Sequence, residues 1–190
     1  DGNSGFLRCA VDRGYAGRKK LVRGKIVMKV IGITGGVGSG KRAVLKLLEE
    51  EYHAVVVQLD EVAKALQRKG TPCWKAIVEA FGREILDENE ELDRKKLAQI
   101  VFQSSEKLEQ LNGIVHPAVK QQVLLDIEEK RKEKTELYVL EAALLLEAGY
   151  AKICEETWFI YTEESVRRER LKASRGYSDE RITDMIRSQS

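Results

Sequence analysis

A glycine-rich segment, GITGGVGSGK at residues 32–41, constrains this 190-residue chain more than any other part of its sequence. The β-branched run MKVIGIT leads into it, and RAVLKLLEEE, with apolar residues at helical spacing, follows it. Glycines let successive backbone N–H groups turn inward around an anion, which also faces the positive end of the next helix. Strand, loop and helix in this order predict a phosphate-binding loop rather than a turn that only ends the strand. Its predicted binding residues are Gly36, Gly38, Ser39, Gly40, Lys41, Arg42 and Ala43.

Two basic residues at the end of this loop bear on its chemistry. Lys41 is in register to place a mobile positive charge on the β and γ phosphates of a nucleotide. Arg42 stands where the pattern has a Ser or Thr hydroxyl for magnesium, and an arginine cannot coordinate a cation. Magnesium takes much of its coordination from phosphates and water. We therefore expect a site that binds ATP and Mg²⁺, with Arg42 affecting catalysis more than binding.

The remaining sequence alternates strand and helix patterns. AVVVQLD, LYVLEA and TWFIYT predict three more strands, and residues 73–135 between them are almost wholly helical, with one helix starting at Pro117. Ser178 is the predicted cap of a final helix. Strands joined by helical crossovers favour a parallel sheet covered by helices, an α/β fold that binds its ligand at the carboxyl ends of the strands.

Two acidic residues follow the predicted strands at that edge. Asp60, at the end of the second strand, could align a hydroxyl, accept its proton or help to hold magnesium. Alternatively, Asp60 only caps the helix that follows. Glu141, at the end of the third strand, could position water around magnesium, or it could be a structural carboxylate tied to a helix start.

Arginines and one histidine complete the set of candidate residues. Arg167, Arg168, Arg170 and Arg175 lie on one predicted helix and its exit, from which one or two of them could move over a triphosphate. Most of the cluster is also consistent with an ordinary solvated helix surface. His116, just before the predicted helix start, is more simply a structural group than a catalytic one.

Composition limits the partners and the compartment. Lys and Arg total 33 against 31 Asp and Glu, and the charges interleave, so we expect no nucleic-acid partner. No apolar run reaches membrane-spanning length, and three scattered cysteines, Cys9, Cys73 and Cys154, indicate reduced thiols. These features predict a cytoplasmic protein without a membrane partner. Residues 1–27, rich in Gly and Arg, are interpreted as a disordered or non-native leader ahead of Met28; a targeting segment is the alternative.

Several segments, in this order and spacing, resemble the dephospho-CoA kinase family, and the similarity extends from Met28 to Ser190. Besides the glycine loop they are LDEVAKAL, GTPCWKAIVEAFGREIL, LDRKKLAQIVF, HPAV, EAALLLEAG and RLKASRGYSDERI. The glycine loop alone is shared by many nucleotide enzymes, whereas the ordered set is specific to this family.

The resemblance implies a P-loop NTPase-type three-layer fold with a parallel sheet, an inserted helical substrate domain and a short helical lid. Its domain would span residues 28–190, with a core at 28–60 and 136–162, a helical CoA domain at about 61–135 and a lid at about 163–185. The family continues past Ser190 with a strand and a terminal helix, so we expect a C-terminally truncated chain whose last strand and helix are missing. The fourth strand would then be an unpaired edge.

The resemblance also implies an activity, the ATP-dependent phosphorylation of the 3′-hydroxyl of dephospho-CoA in the last step of coenzyme A synthesis. Asp60, Lys41 and Arg170 would be its catalytic residues, and Asp60, Arg94, His116 and Glu141 would bind the substrate. Arg42, Gln58 and a one-residue shift of Arg175 depart from the family pattern. One alternative is another P-loop small-molecule kinase on the same scaffold. Arg42 and the early end suggest a second alternative, a nucleotide-binding protein with impaired transfer. Nothing in the sequence indicates an oligomeric state.

Overall fold

A computed structural model of the chain describes residues 21–22, 25–143, 145 and 149–187. These residues divide into two compact units. The sheet unit contains the described residues up to Val56 and those from Lys134 onward, and the helical unit spans Val57–Glu133. Predictions for residues 1–20 of the leader lie outside the described residues.

Strands account for the central layer of the sheet unit. Two short strands, β1 (Leu21–Val22) and β2 (Lys25–Ile26), pair with each other in antiparallel fashion. The other strands of the described residues form one parallel sheet in the order β4-β5-β3-β6. Their bounds are β3 Lys29–Thr34, β4 Val55–Gln58, β5 Leu137–Glu141 and β6 Glu156–Phe159. This sheet confirms the predicted α/β class.

Seven α-helices occur in the described parts of the chain. They are α1 Lys41–Tyr52, α2 Leu59–Leu66, α3 Pro72–Phe81, α4 Arg94–Phe102, α5 Ser105–Lys132, α6 Glu164–Arg175 and α7 Asp179–Arg187. Short 3₁₀ helices lie at Arg83–Ile85 and Tyr150–Lys152. None of the helices among these residues combines the length and the apolarity needed to cross a bilayer.

The sheet register brings three strand ends to one edge. In β3, Ile33 is opposite Glu141 of β5, and Thr34 is opposite Phe159 of β6. Because parallel strands share a direction, the segments that follow β3, β5 and β6 all leave from this edge. The glycine loop follows β3 directly, so the fold places it beside Glu141.

The core of the sheet unit forms between the sheet and α1. Apolar residues of α1 recur at helical spacing, Val44, Leu45 and Leu48, and pack against Ile31 and Val139 of the sheet. The helix ends where His53 adopts φ 50° and the backbone N–H of Ala54 donates to the Leu48 carbonyl. Burial of this stripe therefore fixes the start of α1, and with it Lys41, against the sheet.

Side-chain caps begin two helices of the helical unit, α3 and α4. Thr71 accepts from the Trp74 N–H at 3.1 Å ahead of α3, and Pro72 occupies the first turn. Asp93 accepts from the N–H groups of Lys95 and Lys96 at 2.9 and 3.1 Å ahead of α4. Buried residues of these helices, which include Ile77, Phe81, Leu97, Val101, Val123 and Ile127, supply the core of the unit.

The predicted end of the second strand at Asp60 is wrong. Strand β4 ends at Gln58, and Leu59, which is buried, already belongs to α2. Asp60 and Glu61 lie in the first turn of α2, where negative charge is favourable. The cap position is Gln58, so Asp60 does not cap the helix either.

The predicted helix start at Pro117 is also wrong. Helix α5 runs without interruption from Ser105 to Lys132, and Pro117 lies inside it. A proline there removes the hydrogen bond to the carbonyl four residues earlier, that of Gly113. Both Gly113 and Pro117 are exposed, so water can satisfy that carbonyl, and the buried stripe of Val115, Val119 and Val123 keeps the helix continuous.

The described cysteines are buried or half-buried free thiols, Cys73 and Cys154. Burial raises the pKa of Cys73 and raises the pKa of Cys154 to about 11. A thiol with so high a pKa stays protonated at neutral pH and is a poor nucleophile. Cys154 instead packs beside Gly32 in the centre of β3.

Two glycine substitutions test this packing. A Cβ at Gly32 would lie 2.8 Å from Cδ2 of the fully buried Leu145 and 3.0 Å from the Cys154 Sγ. We expect Gly32→Ala to lower the free energy of unfolding by about 1 to 3 kcal/mol, because the added methyl group would overpack the core. Gly113→Ala, where no heavy atom lies within 4 Å, should raise it by about 1 kcal/mol through helix propensity. Urea denaturation followed by circular dichroism measures both, and a neutral Gly32→Ala would contradict the packing described.

Candidate functional site

The glycine loop, residues 35–40, connects β3 to α1 through a tight bend. Gly35, Gly38 and Gly40 have φ values of 149°, 73° and 96°, which L-residues with side chains rarely adopt. The Ser39 N–H donates to the Gly36 carbonyl at 3.2 Å and closes the bend. Within the part of the chain that the structure describes, the N–H groups of Gly36, Gly38 and Gly40 donate no hydrogen bond. These free donors fit an anion held in the bend.

Gly35 is required by a second constraint as well. A Cβ on this residue would lie 2.4 Å from the backbone oxygen of Ile160 and 3.1 Å from the Ser39 Oγ. The Ile160 N–H donates to the Thr34 carbonyl at 2.8 Å, so the Ile160 backbone cannot easily move away. The loop therefore passes closely over the segment that follows β6.

Ser39 lies inside the bend. The residue is 2% exposed, and its Oγ has no hydrogen-bond partner among the described residues. Its backbone oxygen accepts from the Thr162 Oγ1 at 2.8 Å, which ties the loop to the segment that leads into α6. A buried hydroxyl without a partner is costly, and a phosphate oxygen or a water molecule would satisfy it.

Lys41 and Glu141 form the charged pair of the site. The Lys41 Nζ donates to the carbonyl oxygens of Gly35 at 2.6 Å and Gly36 at 3.4 Å. It also lies 3.8 Å from the Glu141 Oε1, and the two side chains are 17% and 14% exposed. The ammonium group is thus folded onto the loop, at the point where a phosphate would compete with these carbonyls.

Arginines of α6 differ in what they contact. The Arg167 Nε donates to the Val37 carbonyl at 2.8 Å, and the Arg170 Nη1 lies 3.4 Å from the position of a Cβ on Gly40. Arg168 instead pairs with Glu164, with 2.7 Å between its Nη2 and the carboxylate, and also donates to Thr183 of α7. Arg175 lies 5.8 Å from the centre of the Tyr177 ring. Of the four predicted candidates, Arg167 and Arg170 are the two that approach the loop.

Arg42 and Ala43, the last two predicted loop residues, are exposed on α1. Within the described residues Arg42 makes no hydrogen bond or ion pair. Its side chain therefore brings no ligand to a cation and extends its charge into solvent.

The helical unit carries the other three predicted site residues, and all of them are exposed. Asp60 lies in the first turn of α2. Arg94 is the first residue of α4, and His116 lies in the middle of α5 beside Pro117. All three side chains are therefore accessible to solvent.

Comparison with known proteins gives the family. The family model described as dephospho-CoA kinase (CoaE) matches residues 29–190. The chain belongs to the dephospho-CoA kinase family. Among curated relatives, a dephospho-CoA kinase of Enterococcus faecalis is 39% identical over 161 residues, which cover 85% of this chain and 80% of that protein. A dephospho-CoA kinase of Carboxydothermus hydrogenoformans is 35% identical over 164 residues, covering 86% of this chain and 79% of the relative.

Solved structures share the fold of the chain. A crystal structure of a Thermus thermophilus protein superposes with a TM-score of 0.70 at 31% identity, covering 86% of this chain and 81% of that one. A dephospho-CoA kinase from Campylobacter jejuni superposes with a TM-score of 0.60 at 22% identity, covering 86% of this chain and 81% of that one. The second likeness shows the fold alone.

Two contacts of this dephospho-CoA kinase family member were not singled out from the sequence. Thr162 binds the loop through the Ser39 carbonyl, and Arg167 binds it through the Val37 carbonyl. The position of Thr162, just after a strand at the ligand edge, was a usable signal. No sequence signal identifies the contact of Arg167, because its partner Val37 lies 130 residues away. The sequence does not distinguish Arg167 from the neighbouring arginines of α6.

Gly35→Ala tests the close approach of the loop to Ile160. We expect ATP affinity, measured by isothermal titration calorimetry, to fall by at least about tenfold, because the new Cβ must displace backbone rather than a flexible side chain. The control is Gly70→Ala, which has a φ of 88° but no heavy atom within 4 Å of a new Cβ. It introduces the same kind of backbone strain in open space and should leave ATP affinity within about twofold of the parent. Unchanged ATP affinity in Gly35→Ala would show that the contact is not needed.

Proposed function

We propose that this protein transfers the γ-phosphoryl group of ATP to the 3′-hydroxyl of dephospho-CoA, giving ADP and coenzyme A. The observation that carries the proposal is a phosphate loop with three free amides, Lys41 and Glu141 in a chain whose dephospho-CoA kinase match covers residues 29–190. A cytoplasmic location and the absence of nucleic-acid and membrane partners stay predictions from composition.

In this proposal the loop and two side chains hold the nucleotide. The N–H groups of Gly36, Gly38 and Gly40 donate to phosphate oxygens, and Lys41 exchanges the Gly35 carbonyl for the β and γ phosphates. Arg170, whose guanidinium lies near Gly40, offsets the charge that develops on the transferred group. Because the site is partly buried, each of these interactions is stronger than it would be in water.

Magnesium is the metal that this chemistry implies, and it supplies charge neutralisation on the phosphates. The residues around the loop fit a magnesium ion only in part. Glu141 offers a carboxylate at the strand edge, which could hold a magnesium-bound water, while Arg42 offers no oxygen. Within the described residues, no cluster of three or more His, Cys, Asp or Glu side chains forms a metal cage. That donor set suits an ion held mainly by phosphates and water, as magnesium usually is.

Asp60 is proposed as the residue that accepts the proton of the substrate hydroxyl or aligns it for attack. It follows β4 by two residues along the chain, its carboxylate is exposed, and it does not act as a cap. A positioned carboxylate contributes typically 10²- to 10⁴-fold to such a reaction. Arg94 and His116, both exposed on the helical unit, are proposed to bind dephospho-CoA, whose diphosphate is a natural partner for a guanidinium.

A second candidate function follows from Arg42, which brings no metal ligand. The chain would then bind nucleotide without efficient transfer. A coupled assay of ADP release separates these functions by comparing dephospho-CoA with shikimate and nucleosides. Release that depends on dephospho-CoA supports the leading proposal. ATP binding without release on any acceptor supports the second.

Replacement of Arg42 tests the metal argument. We expect Arg42→Ser to turn over faster and to need on the order of tenfold less magnesium for half-maximal rate, because a hydroxyl ligand returns and a positive charge leaves. Arg42→Gln removes the charge without adding a hydroxyl and separates the two causes. Rates and magnesium requirements that equal those of the parent in both variants would defeat this explanation.

Asp60→Asn tests the acid–base role. The expected result is a loss of kcat of about 10²- to 10⁴-fold with ATP affinity unchanged, because the amide keeps the shape but cannot accept the proton. The matched control is Glu61→Gln, the next acid on the same turn, which pairs with Lys64 at 2.6 Å. Turnover is measured by coenzyme A formation and affinity by calorimetry. A kcat that matches the parent would remove Asp60 from the mechanism.

A further inference from the structure

The Arg167 side chain lies directly on the phosphate loop. Its Nε donates to the Val37 carbonyl at 2.8 Å. The rest of its guanidinium covers Gly36, where an added Cβ would lie 2.5 Å from Nη2, 2.8 Å from Cζ and 3.0 Å from Nη1. Because Gly36 has no side chain, the guanidinium can occupy this space.

The terminal nitrogens of Arg167 are available for another partner. Within the described residues, Nη1 and Nη2 donate no hydrogen bond, although the residue is half-buried. The unbonded N–H groups of Gly36 and Gly38 belong to the same bend, and the Lys41 Nζ contacts the Gly36 carbonyl there. Several hydrogen-bond donors and two positively charged side chains thus meet at one bend.

The backbone of α6 holds Arg167 in this position. The Arg167 carbonyl and the Leu171 Cγ each lie 3.2 Å from the position of a Cβ on Gly38, and Leu171 is 2% exposed. The Thr162–Ser39 hydrogen bond fixes the chain just before α6 begins. These contacts within the protein fix the position of the guanidinium, which lowers the entropic cost of using it.

We propose that Arg167 is a phosphate-binding residue of the nucleotide site. Its Nε stays on the Val37 carbonyl, while Nη1 and Nη2 donate to phosphate oxygens of ATP held in the bend. A guanidinium suits this double task, because its planar fork presents donors in several fixed directions, whereas an ammonium group offers a single point charge. The inference deepens the proposed function and rests on it.

This role gives the loop a second fixed cation beside Lys41. In a site where Arg42 supplies no metal ligand, a guanidinium placed on the phosphates holds nucleotide even when magnesium is scarce. The effect of Arg167 on nucleotide affinity should therefore be larger without magnesium than with it. A residue that only fastens α6 to the loop would instead change affinity equally in both conditions.

Calorimetric binding of ATP and AMP to the full chain, in EDTA and in magnesium, tests the inference. We expect Arg167→Gln to weaken ATP binding in EDTA by tenfold or more and to weaken it less in magnesium. The affinity for AMP should stay within about threefold of that of the parent protein. Arg167→Lys should recover only part of the loss. The control is Arg181→Gln, which removes one positive charge from α7, where the guanidinium lies 4.1 Å from the centre of the Tyr177 ring. It should leave all affinities unchanged.

The possible failures are distinguishable. ATP affinity in EDTA within twofold of the parent in Arg167→Gln overturns the inference, and so does an equal loss in EDTA and magnesium. Neither result touches the proposed function if the parent still makes coenzyme A. The parent protein could bind ATP through Arg167 but release no ADP with dephospho-CoA. This result would contradict the proposed function and support the role of Arg167 in nucleotide binding. A parent that does not bind ATP overturns both.

Gly36→Ala supplies an independent measurement. Its Cβ must push the guanidinium away, so we expect weaker ATP binding in the parent background and at most a twofold further change in the Arg167→Gln background. Equal losses in both backgrounds would mean that the methyl group obstructs the nucleotide itself, and this result also counts against the role of Arg167.

Discussion

The contact between Gly35 and the Ile160 backbone is the constraint on which the rest of the site depends. Only a residue without a Cβ can pass this carbonyl, and the hydrogen bond from the Ile160 N–H to Thr34 holds the carbonyl in place. The chain after β6 is therefore locked against the loop. Thr162 then reaches the Ser39 carbonyl, and α6 begins two residues later, with Arg167 and Arg170 beside the loop.

Electrostatics explain how the loop accommodates a mostly buried ammonium group. The Lys41 ammonium takes two loop carbonyls and the Glu141 carboxylate, so its charge is compensated although the side chain is mostly buried. In the proposed function a phosphate group competes with these acceptors, and its higher negative charge favours contact with Lys41. At an effective dielectric constant of 20, two unit charges 4 Å apart interact by about 4 kcal/mol, against about 1 kcal/mol in bulk water.

Local signals in the sequence predicted most of the sheet unit. The β-branched run MKVIGIT predicted β3, and the apolar segment LYVLEA predicted β5. The glycine pattern predicted the loop, and Ser178, whose Oγ accepts from the Arg181 N–H at 3.3 Å, was predicted as the cap of α7. Position relative to the strands also predicted Glu141 at the ligand edge, and the register of β3 and β5 then brings it next to Lys41. These features depend on residues near each other in sequence or on the general rule for parallel sheets.

The errors and omissions arose where distant residues decide the outcome. Leu59 reads as the end of an apolar strand, but its burial within α2 shortens β4. Pro117 looks like a helix start, but a buried stripe on both sides of it keeps α5 continuous. Arg167 could not be distinguished from Arg168 in sequence, because only the fold shows which of the two adjacent side chains meets Val37.

Arg42 and Arg167 also differ in how much their charge can contribute to phosphate binding. Arg42 extends into solvent, where water and salt screen it, whereas Arg167 is half-buried against the loop. A screened charge contributes little to phosphate binding, so at position 42 the missing hydroxyl outweighs the added cation. A fixed guanidinium in a low-dielectric bend contributes more per charge. If Arg167 binds phosphate as proposed, the site can lack a metal ligand at Arg42 and still bind a triphosphate, because the guanidinium against the loop supplies compensating charge.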